Sequence, residues 1–278
     1  MVAFVNTPVE TVQQYWDTRP CNIRHSTSPI GTRQYFDEVE ARKHFVEPHI
    51  PRLAEFDRWD GKRVLEIGCG IGTATICFAR AGAFVTAVDL SSKSLELAKQ
   101  RAEVLGLSDR IEFYNADAEK LSEAVPPAPY DLIYSFGVIH HTPHPERVIE
   151  QIRAHFVKPE SILKLMVYHR YSWKVFWILA AYGRCQFWKL DELVARHSEA
   201  QTGCPITYSY ERKDLTRLLG RGFKVNDMFV DHIFPYRISD YVQYRYVKEW
   251  YFRCLPPALF RRLEQKLGWH LCATAQVA

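Results

Sequence analysis

Between residues 62 and 167 short apolar runs alternate with longer stretches whose apolar positions recur every three or four residues. Lys62-Arg63-Val64-Leu65-Glu66-Ile67 is a β-branched run that stops at glycines, and 83–88 is a second, closed by Asp89. Further runs lie at 111–114, 131–134 and 162–167. Runs of this length and composition predict strands. Between them, 73–80 carries small and apolar residues and stops at Gly82, a helix exit. Ser91 or Ser92 caps the next helix, in which Leu95, Ala98, Ala102 and Leu105 share a face before Gly106. His144-Pro145 opens another, with Val148, Ile149, Ile152 and Phe156 on one side and proline in its first turn. Strands separated by such helices predict right-handed βαβ units and a doubly wound parallel sheet. Ligands of these sheets sit beyond the carboxyl ends of the strands, near the switch point. The glycines after Ile67 fall at that place.

Past Met166 the alternation ends. Residues 171–182 read as an aromatic helix and 211–219 as a helix with Leu215, Leu218 and Leu219 on one side. The segments 223–230 and 269–275 are strand-like, and 239–266 reads as an aromatic, basic helical stretch broken at Pro256-Pro257. The first sixty residues carry one good helix pattern, over 35–49. The expected division is an N-terminal helical lid, 1–59, and a domain of 60–278 with cap insertions near 170–210 and 235–265.

Composition changes this picture little. The 278 residues suit one elaborated domain, and 47% hydrophobic with 24% charged residues is ordinary for a soluble globular protein. The net charge of +4 does not by itself point to nucleic acid. It is unevenly spread: from Arg170 onward 17 Lys and Arg face 10 Asp and Glu, a net of +7, so the front part carries −3. The seven cysteines include no C-x-x-C pair and no zinc-ligand spacing, so the expectation is reduced thiols and no metal. Residues 1–10 lack the pattern of a signal peptide, and the longest apolar run, 175–182, is far short of the ~20 residues of a membrane span. A cytoplasmic protein is expected, with homodimerisation left open.

The glycine loop carries the first chemistry. It reads Glu66-Ile67-Gly68-Cys69-Gly70-Ile71-Gly72, followed by Thr73. A dinucleotide fingerprint would put its third glycine at position 73. Alternate glycines instead let the backbone turn beneath a bulky ligand without phosphates. Glu66 agrees, because a carboxylate there would repel a pyrophosphate but attract a sulfonium and an ammonium. Asp89 ends the second strand and can accept from both hydroxyls of a ribose, and Asp117 after the third can accept from an adenine amine. S-adenosylmethionine (SAM), leaving as S-adenosylhomocysteine, is the nucleotide that fits all three.

Val64 to Gly72, Val88-Asp89, Asn115-Ala116-Asp117-Ala118 and Tyr130 to Arg147 together resemble the successive signatures of class I SAM-dependent methyltransferases. Ser135-Phe136-Gly137-Val138-Ile139-His140-His141-Thr142-Pro143 is similar to the ubiquinone and menaquinone biosynthesis type and its bacterial small-molecule relatives. The likeness is strong over about 60–170 and extends weakly to 211–234 and 269–276. It implies an α/β, seven-stranded Rossmann-like sheet in the order 3-2-1-4-5-7-6. It also implies Glu66, Gly68, Gly70, Asp89, Leu90, Asp117, Ala118 and Ser135 as SAM contacts, with Gly72 completing the loop.

Methyl transfer asks the protein to hold a nucleophile in line and to exclude water. An alcohol or protonated amine also needs a base titrating near neutrality, and histidine is the natural one. His140 and His141 follow the fourth strand; His141 is preferred because Thr142-Pro143 fixes its backbone. His169 and Arg170 follow the fifth strand, as a second base and an anion clamp. His197-Ser198-Glu199, Tyr208-Ser209-Tyr210, Tyr15, Trp16 and Tyr35 could reach over the pocket, while Trp173, Phe176 and Trp177 read as packing. The fourth strand is not followed by the Pro-Pro run of amino-methylating DNA enzymes, nor by a Pro-Cys nucleophile of C5 base methylation; the one cysteine after a proline, Cys21, lies far upstream of it.

Two functions compete. One is methylation of O, N or C on a small-molecule acceptor beneath an aromatic cap. The other is a methyltransferase or binder acting on RNA, protein or a membrane surface. Its recognition element would be Tyr241, Tyr244, Arg245, Tyr246, Lys248, Trp250, Tyr251 and Arg253, where cations interleave with aromatics. Buried aromatics favour the first, and an exposed stripe the second.

Overall fold

A computed structural model of the chain describes residues 4–183, 186–198 and 203–278. Cys185 and Glu199 lie outside the described residues. Strands β1 (Arg63–Ile67), β2 (Phe84–Asp89), β3 (Ile111–Asn115), β4 (Tyr130–Phe136) and β5 (Val157–His169) pair in parallel. They are followed by β6 (Ser209–Tyr210), β7 (Phe223–Asp231) and β8 (His270–Val277). The sheet runs β3-β2-β1-β4-β5-β8-β7, with β8 antiparallel to both of its neighbours. This is the expected order once the two-residue β6 is counted. That short strand pairs with Tyr168 and His169 of β5, beyond Met166 where β4 stops.

The strands are apolar without alternation because both faces are covered. Leu65, Ile67, Ile133, Leu163 and Leu165 pack on one side with Val148, Ile149 and Ile152 of the helix Pro145–His155. Val64, Val85, Ala87, Leu132 and Tyr134 pack on the other with Ile76 and Phe78 of the helix Thr73–Arg80. The helix Ser92–Leu105 begins where the Ser91 hydroxyl accepts from Ser94 N–H and ends at Gly106 in the left-handed region, as its sequence requires. Among the described residues no helix is long and apolar enough to cross a membrane.

The N-terminal residues form helices Val9–Thr18, Arg33–Val46 and Ile50–Ala54. Tyr35, Phe36 and Val39 pack on Ile71, and the fully buried Arg101 guanidinium bonds Glu40, the Phe36 carbonyl and Thr73. Asp17 accepts from the Ser91 hydroxyl and the Lys93 amide. Tyr35 is thereby taken up in packing, its hydroxyl donating to Ile23 O.

The expectation of a helical stretch over 239–266 is corrected. It resolves into single turns, Ile238–Tyr241 and Trp250–Arg253, before the helix Pro257–Leu267. Tyr244 takes a positive φ of 60° and Tyr236 bridges to Lys248, so the backbone hydrogen bonds there close turns instead of a helix. Arg42 lies over the Tyr241 and Tyr244 rings at 4.1 Å each. Part of the basic-aromatic stretch therefore packs on the helix Arg33–Val46, while Tyr246 and Trp250 stay exposed.

Candidate active site

Beyond the carboxyl ends of β1, β2 and β4 lies a cavity of about 330 Å³, the scale of a small-molecule site. Its floor is the glycine loop. Gly68, Gly70 and Gly72 all have positive φ, at 79°, 55° and 76°. A side chain on Gly68 would collide with Val138, whereas one on Gly70 would meet nothing within 4 Å and point into open space. Gly72 turns instead toward Ala98 of the next helix and does not line the cavity, a correction to its expected ligand contact.

Three carboxyl groups face this end. Glu66 is buried and accepts from the Thr75 hydroxyl at 2.5 Å; burial pushes its carboxyl up to about 8 against that bond. Asp89 accepts from the Gly70 amide at 2.7 Å and the Ser91 amide at 2.8 Å. Burial raises it to about 6, and the two amides oppose the rise. Asp117 accepts from the Glu119 amide at 2.9 Å. Both backbone-bound carboxylates are held rigid, and Leu90, Ala116 and Ala118 line the wall between them. An acid that burial holds protonated near neutrality becomes a charge partner once a cation arrives beside it.

Ser135 is corrected. Tyr134 and Phe136 line the cavity, so Ser135 between them points to the opposite sheet face, where it is fully buried.

Of the four candidate catalytic residues only His141 lines the cavity, with Thr142 and Pro143 beside it. Its Nδ1 lies 2.6 Å from the Ile206 carbonyl, so Nδ1 carries the proton and Nε2 the lone pair. Trp16 of the helix Val9–Thr18 packs edge-on against it at 5.4 Å. His140 points away: it is fully buried against Tyr168, 3.9 Å between ring centroids, and burial holds its pKa well below the ordinary value. His169 bonds the Gly268 carbonyl and lines a separate depression with Glu211, Arg212 and Lys266. Arg170 is committed to Asp191 at 2.9 Å and to Ser209. In the cap, His197 stacks on Tyr182 and Tyr208 donates to the Pro143 carbonyl.

Residues that sequence reasoning missed close the other end: Cys21, Asn22, Lys43, His44, Glu47 and His270. Lys43 and Glu47 form an ion pair at 2.9 Å. No local pattern marks them, since His270 opens a strand-like run and the others lie at helix ends or in loops.

Comparison with known proteins adds the following. Residues 64–159 match the family described as "Methyltransferase domain". The chain is 33% identical over 111 residues to a ubiquinone biosynthesis O-methyltransferase of Haemophilus ducreyi, covering 40% of this chain and 47% of that protein. It is 34% identical over 165 residues to the enzyme of the same name from Leptothrix cholodnii, covering 58% and 60%. The chain thus spans about half the length of the curated relatives it matches. Among solved structures, magnesium protoporphyrin IX methyltransferase from Synechocystis PCC 6803 with bound SAH is similar in fold. Its TM-score is 0.59 at 16% identity, over 98% of this chain and 100% of that one.

Proposed function

We propose, from the match of residues 64–159 to the methyltransferase domain family, that this chain is a class I SAM-dependent methyltransferase acting on an O, N or C nucleophile of a small-molecule acceptor. The observation that carries this reading is the continuity of one cavity. Glu66, Gly70, Asp89 and Asp117 line it at one end, and His141, Phe136, Tyr168 and His270 at the other, beneath Val9, Val12 and Trp16 of the N-terminal segment.

The cofactor end suits SAM on this structure's own terms. Gly70 leaves open space where a side chain would intrude, and Glu66 is a buried carboxyl lacking a cation. Asp89 retains lone pairs for ribose hydroxyls and Asp117 for the adenine amine. SAM, when bound, supplies a methyl carbon already activated by its sulfonium. The protein's residues then orient, shield and deprotonate. Residues 1–59 act as a lid that excludes water, and Phe136, Met166 and Tyr168 bound the acceptor. His141, fixed through Nδ1 by the Ile206 carbonyl, presents Nε2 to take a proton from an alcohol or ammonium acceptor. A cavity of this size favours a small acceptor over RNA or protein, and the packing of Tyr241 and Tyr244 on Arg42 removes part of the rival surface.

Two experiments test this. Methyl-labelled SAM incubated with the protein and a cell extract should place label in the small-molecule or lipid fraction; label in RNA or protein sinks the reading. His141→Ala should lower turnover by about tenfold or more, as loss of a general base does, with SAM affinity nearly unchanged. Unaltered turnover removes His141 from the mechanism.

A further inference from the structure

Three strands across the sheet from the glycine loop, roughly 14 Å at the usual strand spacing, a cluster of histidines gathers around the missed end of the cavity. His49 precedes the helix Ile50–Ala54, Glu47 follows the helix Arg33–Val46, and His270 opens β8. Glu47, His49 and His270 each offer a ligand atom, and these atoms lie within 4.8 Å of one another. His49 Nε2 and His270 Nδ1 are 2.9 Å apart. Beside them Glu47 Oε2 is buried without a hydrogen-bond partner, and so is His49 Nδ1 on the other edge of its ring. The histidine is 3% exposed, and an orphaned buried polar atom costs about 1–3 kcal/mol.

We propose that Glu47, His49 and His270 bind a divalent first-row transition-metal ion, with coordination positions open toward the cavity. Two imidazoles and one carboxylate suit zinc, iron, cobalt or nickel, whereas magnesium prefers oxygen donors and retained water. Ligands about 2.1 Å from one ion stand about 3 Å apart when at right angles, close to the separation of His49 Nε2 and His270 Nδ1, whose mutual hydrogen bond the ion replaces. The ion uses the Glu47 oxygen that Lys43 leaves without a partner, so the carboxylate serves both. His232 stacks on the His270 ring at 4.5 Å and holds its plane. Glu47 and His270 line the cavity with Phe136 and Tyr168, so an oxygen or nitrogen donor of an acceptor can reach the open positions. The metal site itself does not depend on the methyl-transfer reading.

The test uses the full chain, stripped with a chelator and titrated with Co²⁺ alone, followed by absorption. Zn²⁺ is then measured in competition with a chromophoric chelator. One ion per chain is expected, with a visible spectrum free of thiolate charge transfer. Glu47→Gln and His49→Asn should each weaken binding by about tenfold or more, and exposed His155→Asn should leave it unchanged. Added metal should raise the melting temperature of the parent and of His155→Asn but not of Glu47→Gln. This holds whether or not a His270 variant folds. No uptake of one equivalent, a thiolate spectrum, or equal affinity in the Glu47 and His49 variants overturns the site.

Discussion

Glu66→Gln isolates the charge that the cavity holds ready for the cofactor. In the free protein burial keeps the Glu66 carboxyl protonated up to about 8. A SAM ammonium or sulfonium beside it is stabilised only by the ionised form. At pH 6.5 ionisation must therefore be driven by binding, at about 1.4 kcal/mol per pH unit, or about 2 kcal/mol and 30-fold in affinity relative to the fully ionised carboxyl. The ligand's α-ammonium loses its own proton near 7.7–8.0, the ordinary range of about that value. SAM affinity should then pass through a maximum near pH 8 and fall about tenfold per unit on the acid side. Glutamine keeps the Thr75 contact and the volume but cannot titrate. Its acid limb should be flat, and at pH 8 it should bind more weakly by about 1.5–3 kcal/mol, the worth of a charged hydrogen bond. Calorimetric titration at constant ionic strength between pH 6 and 9 reads both curves. An acid limb of equal slope in Glu66→Gln would refute the assignment, and so would a parent protein with no slope.

The same carboxyl governs stability in the opposite sense. Its folded value of about 8 lies above the ordinary 4.5, so its contribution is fully present below pH 4.5 and is lost as pH rises through 8. At pH 9 without ligand, urea midpoints should place Glu66→Gln above the parent by up to about 5 kcal/mol; coincident curves would show that Glu66 is not desolvated. The two loop glycines separate fold from binding. Gly68→Ala should destabilise by about 2 kcal/mol or more, combining the left-handed backbone with overpacking on Val138, and Val138→Ala should recover part of it. Gly70→Ala should show only the backbone cost of about 1–2 kcal/mol yet lose SAM affinity sharply. Equal effects of the two on stability and binding would contradict this placement.

The part of the molecule that was legible is the part where one local pattern has one physical meaning. Apolar runs ending in Glu66 and Asp89 became β1 and β2 with their carboxyls at the cavity, and Ser91 and Gly106 bound their helix as caps do. Lys164 shows the first limit. It sits in a buried strand and is itself buried, because it reaches the Leu53 carbonyl and Glu55 of the N-terminal segment, partners that no strand pattern reveals. The metal-ligand set shows the second, since His49 and His270 are 221 positions apart in sequence and each alone is an ordinary polar residue at an element's end. The paired histidines show the third. Ile139–His141 is a 3-10 turn, in which successive side chains are rotated by about 120°. Two neighbours in such a turn cannot both face one cavity. The motif locates the turn, but its phase is set by Ile206, whose carbonyl takes Nδ1 of His141, and by Tyr168, against which His140 is packed. Both lie on segments that the motif does not contain, so the sequence could prefer His141 over His140 but only the fold puts His141 alone of the two at the cavity.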